Sequence, residues 1–213
     1  MSSTDPAGRL GPRAQRSALR RREILDAAVS TIGERGYGGA SLAAIADEVG
    51  IAAPSLLHHF RNKEQLLTEV LAYRDDLSRS YHGEAADLEG APLLEHLVDT
   101  AEENSRRRGL TQLYAVLLGE SITSNHPGKD FFRERFAGLR EMVRDAVLEA
   151  IADPDVPEED VLETASAIIA VMDGIQFQFL LEPYAVDMAG VTERTVRALL
   201  ADLRAGGTGR SDA

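Results

Sequence analysis

Residues 41–67, SLAAIADEVGIAAPSLLHHFRNKEQLL, constrain this chain more than any other stretch. Ser41 is a good helix N-cap, and Leu42, Ile45, Ala46 and Val49 follow it at helical spacing. Gly50 comes next, where the missing Cβ admits a left-handed turn. A second short helix is expected over 52–59, with Pro54 in its first turn, where the absent N–H costs nothing. Asn62 then caps the start of a third. Two short helices around a tight turn form a helix-turn-helix, a unit whose second helix enters the major groove of DNA.

The rest of the chain reads as helix throughout, with no period-2 strand and no internal repeat. A helix from Ala14 or Ser17 to Arg35 carries Ile24, Leu25, Ala28, Val29 and Ile32 on one face, and Gly36 stops it. Helix four runs from Asn62 towards Tyr81, and a loop is expected over 82–90. Five longer helices follow, over 92–108, 110–124, 129–152, 157–182 and from Asp187 or Thr192 to Arg204. Gly109, the turn NHPG at 125–128 and the prolines of DPDVP at 153–157 separate them. That makes about nine helices in an all-α chain. The expected division is a disordered tail at 1–12, a helix-turn-helix domain at 13–62, a helical domain at 63–206 and a frayed tail at 207–213.

The chain of 213 residues contains no cysteine, which removes disulfides, thiolate metal sites and a cysteine nucleophile. No uninterrupted apolar run reaches the ~18–20 residues of a bilayer span, and no apolar h-region follows the arginine-bearing N-terminus. A cytoplasmic protein with no membrane partner is expected. The net charge of −12 argues against a generic nucleic-acid binder, but it is unevenly distributed. Residues 1–70 hold nine Lys and Arg against eight Asp and Glu, while residues 71–213 hold fourteen against twenty-seven. Arg9, Arg13, Arg16, Arg20, Arg21 and Arg22 crowd the start. A basic end on an acidic body suits a protein that touches phosphate at one end only.

Gly36, Tyr37, Ser41, Ile45, Ala46, Gly50, Ile51, Leu56, His59, Phe60, Asn62, Lys63, Glu64 and Leu67 stand at the spacing G-Y-x-x-x-S-x-x-x-I-A-x-x-x-G-I-x-x-x-x-L-x-x-H-F-x-N-K-E-x-L-L. This string resembles the tetracycline-repressor (TetR) family of bacterial regulators over roughly residues 24–71. Residues 173–188, DGIQFQFLLEPYAVDM, are similar to the end of the family's penultimate helix. The resemblance implies a C-terminal domain, reached through helix four, that binds an effector and dimerises. It also implies that Lys63 and His59 contact phosphate. Ser41 and Ser55 lie near helix starts, where hydroxyl and backbone N–H groups can bind phosphate together. The expected DNA-facing residues are Arg20, Arg21, Ser41, Ala53, Pro54, Ser55, Leu57, His58, His59 and Lys63.

The recognition helix departs from the family. Its first turn, Ala52-Ala53-Pro54, offers no side chain for a bidentate base contact. Leu57 stands where the family usually has a tyrosine, and Ala43 replaces an arginine found in some members. Readout is therefore expected to lean on apolar contacts to thymine methyls and on His58, with Arg16 and Arg20–Arg22 adding backbone or minor-groove contacts.

In the C-terminal helices Asn104, Tyr114, Leu117, Met142, Met172 and Gln176 are the expected liners of an effector pocket, apolar walls with a few polar anchors. Few charges in the stretch 110–124 favour a small lipophilic effector, although Glu120 leaves a cation open. The last two helices carry wide apolar arcs. Ile168, Ile175, Phe179, Val196, Leu199 and Leu203 are expected to pair with a second copy in a two-fold four-helix interface.

His58 and His59 are adjacent on a helix and point ~100° apart, so they do not share a metal. Asp153, Asp155, Glu158, Glu159 and Asp160 lack the pattern of a calcium loop and suit the start of a helix. No cofactor and no metal are expected. An enzyme in a helical bundle would need a catalytic constellation, and no H-E-x-x-H, G-x-S-x-G or P-loop string occurs. The expected function is a ligand-responsive DNA-binding repressor. An effector-independent DNA-binding protein of the same fold stays open beside it.

Overall fold

The computed structural model describes residues 11–82 and 88–206, apart from the side chains of 78–82. Over these residues the chain forms nine helices and no strand: α1 (Pro12–Gly39), α2 (Leu42–Val49), α3 (Ala53–Leu57), α4 (Lys63–His82), α5 (Gly90–Arg106), α6 (Arg108–Ser121), α7 (Lys129–Ile151), α8 (Glu158–Leu181) and α9 (Met188–Arg204). The expected tail at 1–12 lies outside them except for Gly11 and Pro12, which open α1. Of the loop expected over 82–90, His82 ends α4, Gly90 opens α5 and 83–87 lie outside the described residues, as does the tail at 207–213.

The chain divides into two compact units, Met1–Asp75 and Asp76–Ala213. The division falls inside α4, whose first turns belong to the N-terminal core. Leu66, Leu67, Val70 and Leu71 are buried, and Tyr73 Oη donates to Asp26 Oδ1 of α1 at 2.6 Å.

In this first unit Ile24, Ala28, Ile32, Ile45, Leu56 and Phe60 are completely enclosed. Ser41 caps α2, its Oγ accepting from the Ala44 N–H at 3.0 Å. Gly50 takes φ 70°, and the Ile51 N–H closes the turn on the Ala46 carbonyl at 2.9 Å. Gly36 ends the long stretch of α1 at φ 71° and ψ 168°, a region open to glycine almost alone, and a single further turn follows over 37–39. Asn62 and Gln65 cap α4 reciprocally: Asn62 Oδ1 accepts from the Gln65 N–H at 2.8 Å, and Gln65 Oε1 from the Arg61 N–H at 2.8 Å.

The second unit packs α5, α7, α8 and α9 around Leu93, Leu97, Val143, Val147, Val161, Ala165, Ile168 and Val196. A smaller cluster gathers Ala101, Ile175, Phe179 and Met188. The break between α5 and α6 comes at Arg107 (φ −112°, ψ 53°) and not at Gly109, which lies in the first turn of α6. Thr111 Oγ1 donates to the Asn104 carbonyl at 2.7 Å there, a side-chain bond in place of a helical one. Two arginines complement helix C-termini: Arg108 Nη2 donates to the Leu180 carbonyl and Arg204 Nη2 to the Ala150 carbonyl, each at 2.9 Å.

The helix α8 is long and apolar. Its 24 residues reach a mean hydropathy of 1.4 over an 18-residue window, enough by length and composition to cross a membrane. Much of the apolar arc on α8 and α9 is covered by the chain itself. Of the residues expected to pair with a second copy, Ile168, Val196 and Leu203 are buried in the main cluster, against which Leu199 packs, and Ile175 and Phe179 are buried in the smaller one. Helical periodicity marks an apolar arc but does not say which part of it the chain itself covers. The apolar side chains that α8 leaves exposed are Leu162, Phe177 and Leu181.

Candidate nucleic-acid interface

The helix α3 is short because little holds it apart from packing. Ala52 provides no side-chain cap, and the helix is anchored through Leu56, fully buried, and through the buried Phe60 just beyond its end. With Leu56 and Phe60 inward, Pro54, Ser55, Leu57 and His58 are left exposed and Ala53 half-buried. Ala43 on α2 is exposed too. The face expected to meet bases is therefore presented to solvent.

Around it, the expected phosphate contacts separate into two groups. Ser41 is exposed; its Oγ accepts at the α2 cap, so its O–H remains a donor. His59 is half-buried. Burial first, then the charges of Arg21, His58 and Arg20, hold its pKa below the usual histidine value. Its ring is neutral at pH 7 and offers a hydrogen bond, not a charge.

Arg21 and Lys63 are engaged inside the protein. Arg21 Nη1 donates to the His59 carbonyl at 2.7 Å, Nη2 pairs with Glu69 of α4, and the guanidinium lies 4.3 Å from the centroid of the Phe60 ring. One side chain of α1 thus ties the end of the recognition segment to α4. Lys63 Nζ donates to the Tyr37 carbonyl and sits 4.3 Å from the centroid of the Tyr37 ring. A cation in the first turn of α4 opposes the helix dipole, and these two partners offset that cost. Thr31, buried on α1, donates to Glu48 Oε2 of α2 at 2.7 Å and completes the bracing of the motif. Counting arginines near the N-terminus cannot separate such a clamp from a solvent-facing cation.

Removing the clamp has a distinguishable outcome. Arg21→Ala is expected to destabilise the first unit by about 2 kcal/mol, the scale of a charge-assisted hydrogen bond to a partly buried carbonyl. Urea unfolding followed through residues 24–70 measures it. Unchanged stability together with a shallower salt dependence of DNA binding would instead mark Arg21 as a plain phosphate contact.

The N-terminal part of α1 is helical from Pro12 and fully outside the core. Arg13, Arg16 and Arg20 recur at i, i+3 and i+7 and share one exposed face; Arg20 also pairs with Glu23 at 2.9 Å.

In the second unit the residues expected to line a pocket fall in different surroundings. Tyr114 and Leu117 of α6 are buried; Tyr114 meets Phe132 edge-on at 5.5 Å, and the Arg135 guanidinium lies 5.5 Å from the Tyr114 ring. Met142 and Met172 pack against the main apolar cluster. Gln176 is only 5% exposed; its Nε2 donates to the Met172 carbonyl at 3.1 Å, while its Oε1 is buried with no hydrogen-bond donor. Asn104 lies near the end of α5 and belongs to the junction with α6, where its carbonyl accepts from Thr111. Phe132 and Arg135 join Tyr114, and sequence reasoning misses Arg135: a charged residue amid an amphipathic helix gives no sign that it turns towards an aromatic ring. Among the described residues no group of three His, Cys, Asp or Glu side chains is placed to hold a metal ion.

A braced helix-turn-helix with an exposed second helix, followed by a separate helical unit, defines a DNA-binding regulator. Residues 24–70 match the family described as bacterial regulatory proteins, tetR family, and residues 91–205 match the C-terminal part of BetI-type transcriptional repressors. The chain belongs to the TetR family of bacterial transcriptional regulators, a family of regulators and not of enzymes. It is 32% identical over 138 residues to the transcriptional repressor KstR2 of Mycolicibacterium smegmatis, covering 64% of this chain and 67% of that protein. With KstR2 of Rhodococcus jostii it shares 41% identity over 86 residues, 39% of this chain, and spans 42% of that relative's length. The fold is also that of a transcriptional regulator from Saccharomonospora viridis solved in complex with choline. That structure has a TM-score of 0.67 and 21% identity, over 87% of this chain and 96% of that one.

Proposed function

We propose that this protein is a homodimeric repressor that binds operator DNA through α3 and releases it when a small, largely apolar effector occupies the second unit. The observation that carries the reading is the exposed face of α3 on a braced motif, in a chain whose other unit matches a repressor C-terminal domain. Effector binding to one arrangement of the second unit shifts the population towards it. The helix α4 runs on from the DNA-binding unit, so a change in its direction alters the spacing of the two recognition helices. Differential affinity of about 1–3 kcal/mol is typical of such coupling.

The effector reading draws support from the buried surroundings of Tyr114, Leu117, Met142 and Met172, and from Gln176 Oε1, a buried acceptor that a ligand donor would satisfy. An effector carrying a hydrogen-bond donor would satisfy Gln176 Oε1. The protein acts where the chromosome is, in the cytoplasm. The test is a footprint on the DNA upstream of the protein's own gene, repeated with candidate ligands. Protection that one ligand removes supports the reading, and protection indifferent to every ligand favours an effector-independent regulator of the same fold.

Dimerisation is assigned to the outer face of α8, where Leu162, Ala170, Gly174, Phe177 and Leu181 are exposed and uncharged. A two-fold axis through this face packs α8 against its copy.

DNA contacts are assigned to Ser41, Ser55, His59 and the arginine face of α1. Arg13, Arg16 and Arg20 share one exposed face and are assigned to backbone phosphate. Neutralising Arg13 and Arg16 to Gln is expected to flatten the slope of log K against log salt by about 0.9 for each phosphate left unneutralised. A titration at four salt concentrations checks this; an unchanged slope removes the arginine face from the interface.

A further inference from the structure

Between residues 20 and 77 the described leucines are buried or half-buried with one exception. Leu57 is 47% exposed, and it lies on the outward side of α3 beside Pro54 and His58. The segment 51–60 contains no Asn, Gln, Arg, Lys, Asp or Glu, so no bidentate hydrogen-bonding partner for a base edge can come from it. Ala43 on α2 adds none. Arg21, the nearby guanidinium on α1, is held by the His59 carbonyl, Glu69 and Phe60. An apolar side chain exposed on the DNA-facing side of α3 gains when a partner covers it.

The major groove offers one apolar feature that differs between base pairs, the C5-methyl group of thymine. We infer that Leu57, with Pro54 beside it, is the specificity-determining contact of this protein and selects thymine through its methyl group. This rests on the DNA-binding reading above and adds to it the chemistry of recognition. Ser55 and His58 each supply single hydrogen bonds, which orient the helix without distinguishing the base pair as a bidentate pair does.

The experiment uses the full-length protein and a duplex selected by it from a random-sequence pool. Each thymine of that duplex is replaced in turn by deoxyuridine, which keeps every hydrogen-bonding group and removes only the methyl. Affinity is expected to fall about fourfold at one or two positions of each half-site, the value of burying one methyl-sized group, and to stay level elsewhere. In Leu57→Ala the thymine-to-uridine ratio at one of those positions is expected to fall close to 1. His58→Ala is expected to keep the ratio while weakening both duplexes alike. Leu57 is exposed, so its replacement leaves the thermal melt unchanged, and the melt is recorded for each variant. A ratio flat at every thymine of a specifically bound duplex overturns the inference, and so does a ratio that Leu57→Ala leaves intact. Failure to select any duplex overturns the DNA-binding reading itself, and this inference with it.

Discussion

Phe60→Ala is expected to unfold the DNA-binding unit while leaving the C-terminal unit folded. The Phe60 ring is completely buried, and truncating such a ring to alanine costs about 3–5 kcal/mol. It is also the surface on which the Arg21 guanidinium rests, so the clamp between α1, the recognition segment and α4 loses one of its three partners. Small domains are stable by only about 5–15 kcal/mol in all, and this unit is small. Hydrogen exchange resolves the outcome by region. Amides of residues 24–70 are expected to lose most of their protection, and those of residues 91–205 to keep theirs. Protection retained throughout would mean that the motif is held by something other than its core.

The second large effect concerns the outer face of α8. Gly174→Arg places a long charged side chain where a Cβ meets nothing within 4 Å, so the single chain accommodates it. Leu181→Asp adds a charge at a position already 83% exposed. Both are expected to yield a folded monomer by sedimentation, with the melting temperature lowered only by the stabilisation that association gave. Operator affinity is expected to fall by at least about a hundredfold, because two linked modules gain that much over one. A dimer that persists in both variants would place the two-fold axis elsewhere. Ile168→Ala, by contrast, is not a test of the interface, since Ile168 is a core residue of its own protomer.

The contrast between Ile168 and Leu181 shows where sequence reasoning reaches its limit. Caps, turns and helix order were legible: Ser41, Gly50, Asn62 and Asp187 each announce a helix boundary by local chemistry, and each acts there. Local chemistry also misled once, at Gly109, where a side-chain bond from Thr111 ends α5 two residues earlier. The assignment of side chains to particular partners was not legible. Arg21 and Arg13 look alike in the string, but one is bound by three groups of the fold and the other is exposed. Likewise, a periodic apolar arc on α8 gives no division between the part covered by α5, α7 and α9 and the part left for a partner. Such distinctions depend on which distant elements the fold brings together, and no short window of sequence carries them.

The central claim is that a dimer of this chain reads DNA through α3. A footprint of the wild-type protein on its selected duplex tests it most directly. The expected result is a two-fold symmetric protected site, with half-sites one or more helical turns apart. The protection is expected to vanish with Phe60→Ala and to weaken sharply with Gly174→Arg. Protection without symmetry that survives both substitutions, or no protection at any DNA, would contradict the account.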